Sequence, residues 1–162
     1  MPEGKKLGHQ LTLLFEAAET LNTASNNINA ILQAVEEQLV KANIGLEVWL
    51  TGQVQVLSRS PAERTDEGNT SYTDVELGFA KLHDGWHLVA RHIGVEEGPP
   101  DRDGDPSWTT SSCEIDPYPI AQASRKERIA ALRVLPDLIR ALHRETAQAI
   151  KTIEDAQNLI AC

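Results

Sequence analysis

Leu7, Leu11, Leu14, Ala18, Leu21, Ser25, Ile28, Leu32, Val35, Leu39 and Ala42 follow one another at spacings of four and three without a break. That spacing returns each side chain to one edge of an α-helix and, repeated over several heptads, forms an a/d seam. No proline interrupts residues 7–43, and Asn43 and Gly45 supply stop signals. With a rise of about 1.5 Å per residue, a helix over this span is roughly 55 Å long. One face of a compact domain is shorter than that, so the seam requires a second long helix.

The other end of the chain supplies a candidate. Ser124-Arg125-Lys126-Glu127 reads as a capping box, in which the serine and glutamate side chains satisfy the free N–H groups of a helix start. After it, Leu132, Leu135, Ile139, Leu142, Thr146, Ala149, Ile153, Ala156 and Ile160 repeat the same spacing, and Leu138, Ile150 and Leu159 widen the stripe. Pro136 is expected to kink this helix or to split it into 124–134 and 136–160. Antiparallel pairing of the two helices within the chain places Ala18 opposite Ala149 and Ser25 near Leu142. Asn22, Asn26, Asn27 and Asn29 make the middle of the first helix polar, either as a solvated face or as a layer that fixes register.

Between the helices the period changes to two. Leu46, Val48, Leu50, Val54 and Val56 share one parity, which predicts a strand over 46–58, bulged or bent at Gly52, with its apolar residues on one face. Asp84-Gly85 is a two-residue hairpin turn joining strands 72–82 and 86–94. Pairing His83 with Trp86 sets Phe79 opposite Ala90 and Leu77 opposite His92. Val75, Leu77, Phe79, Trp86, Leu88 and Ala90 then face the core. The other face carries Glu76, Gly78, Ala80, Leu82, His87, Val89, Arg91 and Ile93, and is only half polar. Residues 59–71 read as a polar loop, 94–107 as an acidic loop, and 108–115 as a fourth, edge strand. The expected fold is therefore α+β: a single domain over 1–162, with long helices at 7–43 and 124–160 flanking a three- or four-stranded antiparallel meander in 44–123.

Charge narrows the partners. The chain carries a net charge of −9, and residues 44–123 hold an excess as large as the whole. Such a surface repels phosphate, so neither nucleic acid nor an anionic membrane surface is an expected partner. The amino-terminal segment lacks the apolar core of a signal peptide and no apolar run is long enough to span a bilayer, which makes the cytoplasm the expected location. Cys113 and Cys162, the two cysteines, form neither a CxxC nor a Cys/His ligand spacing, so a structural zinc is not expected, and one possible disulfide is no framework.

Signals for chemistry are sparse. Asp101, Asp103 and Asp105 alternate like the first half of a calcium loop, but Pro106 stands where that loop needs glycine and Ser112 where it needs glutamate. His83, His87 and His92 are divided between the two hairpin faces and do not converge on a metal. The sequence contains no GxSxG, HExxH, P-loop or GxGxxG. No cofactor or metal is expected, and an enzyme is the less favoured reading. The strongest signals are those of assembly. They lead to an oligomeric interaction module (adaptor, assembly factor or chaperone-like subunit), most simply a homodimer, with an acidic sheet surface that could take a basic protein. Its interface candidates are Leu14, Leu21, Ile28, Leu32, Leu138 and Ile150 on the helices, with Trp49 and Trp108 in the β region. The alternative is a small enzyme or ligand-binding domain whose site lies between the sheet face and the acidic loop, built from Glu76, His87, Arg91 and Asp103.

Overall fold

The structure, a computed structural model, describes residues 2–52 and 55–161. Two helices, α1 (Pro2–Ala42) and α2 (Arg125–Ile160), flank one antiparallel sheet. Its strands are β1 (Val48–Trp49), β2 (Ser58–Arg59), β3 (Glu63–Arg64), β4 (Thr70–Leu82), β5 (Gly85–Glu97) and β6 (Thr109–Pro119). The lanes run β1-β4-β5-β6, and β2 and β3 follow β1 along the same side of β4. The fold is thus the expected α+β layout. α1 stops where the sequence indicates: Asn43 and Gly45 both take positive φ. The Ser124 hydroxyl accepts from the Glu127 N–H and the Glu127 carboxylate from the Ser124 N–H, completing the capping box. α2 continues unbroken through Pro136 and is not split there.

The hairpin register differs from the expected one by two residues. Leu82 pairs with Gly85, so Phe79 faces Leu88 and Leu77 faces Ala90. The chain reverses at His83-Asp84, and Gly85, with φ of 136°, already belongs to β5. A glycine accepts that backbone geometry without strain. A shift of two preserves side-chain parity, so the core face is unchanged.

The lane beside β4 is less regular than one bulged strand. Leu50 N–H donates to Leu77 C=O at 2.9 Å and Leu57 N–H to Val75 C=O at 2.7 Å. Seven chain steps therefore cover only two steps of β4, and the described residues between these contacts, Thr51, Gly52, Gln55 and Val56, belong to no strand. The detour resets the parity: Leu57 is buried while Val56 is half-buried. Gln53, Val54 and Cys162 lie outside the described residues, and with them the expected placement of Val54. Residues 59–71 are not a loop throughout, because β2 and β3 pair with Asp74, Val75, Thr70 and Ser71.

Both helices pack on the face that carries Val75, Leu77, Phe79, Leu88 and Ala90. α2 contributes Ala131, Val134, Leu135, Leu138, Ala141 and Leu142 to this core, and α1 contributes Leu32, with Ile28, Val35 and Leu39 packed against it. Trp86 stacks on Phe79 with ring centroids 5.4 Å apart. Leu32 and Leu138, expected as interface residues, are thus interior to the chain, 3% and 0% exposed. They lie where both helices cross the sheet, so their seam positions are satisfied internally.

α1 is also fixed to the sheet by a polar contact. β6 pairs with β5 only from Val89 onward, which leaves the start of β5 with an open edge. Glu36 of α1 fills it: one carboxylate oxygen accepts from the Leu88 N–H at 2.8 Å and the other contacts His87 Nδ1 at 3.2 Å. Leu88 is fully buried, so its N–H has no access to water.

The helices meet differently from the antiparallel register read from the seam. That register would bring Asn22 beside Glu145, whereas Asn22 accepts a hydrogen bond from Arg125, the first residue of α2. The apolar stripe of α1 is consequently divided. Ser25 and Leu32 are buried, while Leu7, Leu11, Leu14 and Leu21 are 57%, 42%, 60% and 44% exposed.

Replacing Glu36 with alanine leaves the Leu88 N–H unpaired in the interior, and is expected to lower stability by about 1–3 kcal/mol in urea unfolding. Leu138→Ala empties the centre of the core and should cost roughly 2–5 kcal/mol. Glu37→Ala, one residue along on an exposed face, serves as the control and should change stability little.

Candidate functional site

The face of the sheet turned away from the helices is organised by two buried carboxylates. Asp74 and Glu76 share this face of β4 because residues two apart point the same way, and both are 6% exposed. Each is held by an arginine from a neighbouring lane. Arg59 of β2 donates from Nε and Nη2 to the two oxygens of Asp74 at 2.6 and 2.8 Å. Arg91 of β5 reaches Glu76 Oε2 from Nε and Nη2, both at 2.9 Å. Each guanidinium in turn lies over an aromatic ring, Arg59 at 4.3 Å from the Tyr72 centroid and Arg91 at 4.0 Å from that of Trp49. Cation–π contact and the fork to a carboxylate suit the planar guanidinium together.

Trp49 can lie flat there because Gly78 is beneath it. A Cβ at Gly78 would come within 2.4 Å of the Trp49 ring, so only glycine permits this approach. Trp49 Nε1 donates to Glu47 at 2.7 Å. The Asp74 hydrogen bond holds the Arg59 guanidinium above its ordinary pKa. Burial, and then a hydrogen bond to Glu97, raise the Tyr72 hydroxyl.

Beside this network runs an open groove of about 490 Å³, lined among others by Thr51, Tyr72, Arg91, Ile93, Ser111 and Cys113. Both carboxylates are engaged by arginine, which leaves neither placed as a free base. The groove offers hydroxyls, guanidinium edges and a thiol, an arrangement suited to recognition more than to proton transfer. A second groove of about 460 Å³ on the opposite face includes Ser60, Glu63, Ser71, Glu96, Thr110 and Glu114. Both grooves adjoin β6, whose residues 109–116 are all exposed.

Of the four expected ligand-binding residues, only Glu76 and Arg91 meet. His87 turns to Glu36 and to Asp84, with Nε2 3.0 Å from the Asp84 carboxylate. That carboxyl lies below its ordinary pKa: desolvation raises it, but the His87 hydrogen bond, a backbone hydrogen bond and the nearby His87 and His83 outweigh this. Asp103 is in the acidic turn and does not line the groove beside Glu76. There Asp101 Oδ1 accepts from the N–H groups of Asp103 and Asp105 at 2.9 and 3.1 Å, so the aspartates shape the turn.

The interface candidates also separate. Leu14, Leu21 and Ile150 are exposed, Ile28 packs against the core, and Trp49 is largely covered by Arg91 and Gly78. Trp108 is 42% exposed and lies against Gly98. Arg59, Tyr72 and Asp74 were not singled out by sequence. The shared parity of Tyr72, Asp74 and Glu76 was available as a signal, but Arg59 stood in a segment read as loop.

No protein-family model, curated protein or solved structure matches this chain. Among the described residues, no helix is long and apolar enough to cross a membrane.

Gly78→Ala is expected to displace Trp49 from the sheet and release Arg91. The expected loss is about 1–3 kcal/mol of stability, with a change in tryptophan fluorescence that a Trp49→Phe background abolishes. An unchanged emission spectrum would mean that Trp49 does not rest on Gly78.

Proposed function

We propose that this chain is a self-associating interaction module, an adaptor, assembly factor or chaperone-like subunit. In it the open halves of the two helices dock on those of a second copy, and the acidic end of the sheet takes a basic partner. The observation that carries this reading is the divided stripe. One continuous apolar edge of α1 serves the chain's own core from Ser25 onward and is exposed before it. α2 behaves alike: Leu135, Leu138 and Leu142 are buried, whereas Ile150, Ile153, Leu159 and Ile160 are 52%, 58%, 81% and 85% exposed. An isolated helical overhang of this kind is marginal in water without tertiary cover.

Magnitudes favour the use of both overhangs. Full burial of a large apolar side chain contributes roughly 1.5–3 kcal/mol, and about half of that remains to be gained at Leu7, Leu11, Leu14, Phe15 and Leu21. For two copies this amounts to on the order of 10 kcal/mol, within the ~4–15 kcal/mol that association costs. Adding the four residues of α2 brings the total to on the order of 20 kcal/mol. The acidic end is supported by Glu63, Glu96 and Glu114 lining one groove among serine and threonine hydroxyls, a lining that suits lysine or arginine.

Sedimentation velocity over a concentration series tests the assembly. The intact chain should sediment as a dimer at micromolar concentration, and Leu14→Glu with Leu21→Glu should yield a monomer that retains the strand signal in circular dichroism. A wild-type chain that stays monomeric throughout, or a double variant that associates equally well, would refute the reading.

A further inference from the structure

β6 is the outermost lane of the sheet, and among the described residues no strand pairs with its far side. One hydrogen bond shows which of its backbone groups face outward. The Gly98 N–H donates to the Trp108 C=O at 2.9 Å, one step before Glu97 pairs with Thr109. In an antiparallel ladder, residues that exchange such bonds alternate with residues whose N–H and C=O groups turn away. Thr110 and Ser112 therefore bond to β5, while Thr109, Ser111 and Cys113 present their backbone groups to the outside. The alternation holds as far as Cys113, because the register shifts only beyond it.

An exposed edge is ordinarily blunted by lysine, by proline or by a bulge. In β6 such devices fall in the second half. The register shifts come after Cys113, Pro117 and Pro119 follow, and the Ile115 C=O accepts from the Cys113 thiol at 3.3 Å. Residues 109–113 contain no charge, no proline and no bulge, and all five are exposed.

Charge beside this edge selects what can add to it. Glu63, Glu96 and Glu114 line one groove with Thr110 and Ser112. Glu96 accepts from Asn69 at 3.2 Å, and Glu114, lying across Gly94, accepts from Thr73 at 3.0 Å; both donors are neutral. Among the described residues, none of the three carboxylates meets a lysine, arginine or histidine. A second copy is a poor occupant. Two-fold antiparallel pairing of β6 with itself would turn Glu114 and Asp116 of one copy toward the acidic turn of the other, like charge against like.

We propose that the β6 edge takes an extended basic segment of a partner protein as a further antiparallel strand. This mode of docking rests on the basic-partner part of the reading above, and adds to it the element that binds and the pattern that is bound. Residues of the segment opposite Thr109, Ser111 and Cys113 exchange N–H and C=O bonds with the edge and carry β-branched side chains. Those opposite Thr110 and Ser112 are lysine or arginine, whose side chains reach over β6 toward Glu96 and Glu114. Main-chain bonds supply affinity, and the alternating side chains supply specificity.

The test is titration of the intact chain with the capped peptide Thr-Lys-Val-Arg-Thr-Lys-Val, followed by calorimetry and amide hydrogen exchange. Binding is expected with a Kd on the order of 100 μM or tighter at low salt, weakening as salt rises. The amides of Thr109, Ser111 and Cys113 should gain protection. N-methylation of the peptide at threonine and valine removes the donors that face the edge and should weaken binding at least about tenfold. N-methylation at lysine and arginine, whose N–H groups point away, should change it little. Ser111→Pro removes an outward donor without breaking the β5–β6 ladder and should weaken binding by a similar factor, as should Glu96→Gln with Glu114→Gln. Equal binding of the two N-methylated peptides would overturn strand addition and leave the basic-partner reading standing. Absence of binding by the unmodified peptide up to millimolar concentration would overturn both. Protection of the same three amides that rises with protein concentration, without peptide, would give the edge to a second copy and overturn the proposal.

Discussion

The structure depends on how one row of aliphatic side chains on α1 is shared. From Ser25 onward the row belongs to a core closed by Leu77, Phe79 and Leu88 from the sheet and by Leu135, Leu138 and Leu142 from α2. Before Ser25 the same row is open. The sheet supports only the part of the helix that crosses it, and the remaining turns project beyond that support. Hydrophobic burial thus anchors each helix at one end and leaves an unmet demand for cover at the other.

A polar contact determines which part of α1 is anchored. β6 stops pairing at Val89, so the N–H of buried Leu88 requires an acceptor that the sheet does not provide. Glu36 provides it, and in doing so fixes the position of α1 along the sheet. The same carboxylate borders the cavity that holds Arg128. The helix anchor and the lining of that cavity therefore share one residue. On the other face of the sheet, aromatic rings, guanidinium groups and buried carboxylates alternate across the lanes, which lets a half-polar face stay ordered without a covering helix.

The large features were legible in the sequence because they rest on periodicity. The two helices, the capping box at Ser124, the stop at Asn43 and Gly45, and the core parity of Leu77, Phe79, Leu88 and Ala90 all follow from spacing or local chemistry. The missed features depend on distant partners. Asp84-Gly85 is a sound turn signal, yet which two residues occupy the turn depends on the whole ladder. The detour before Leu57 and the short β2 and β3 carry too few residues to show alternation. Arg59 appeared as a loop residue for that reason, and its pair with Asp74 went unseen. The α1–α2 register was misplaced because a seam specifies a face and not the partner that covers it. Leu32 and Leu138 were then taken for external contacts when the sheet covers them.

The central claim is that the first half of α1 is helical because something outside the chain's own core covers it. Amide hydrogen exchange of residues 7–24, measured across a dilution series, addresses this directly. The account predicts protection that is strong at high concentration and falls on dilution, while the amides around Leu77 and Leu88 stay protected throughout. Protection of residues 7–24 that is independent of concentration down to a demonstrated monomer would contradict it.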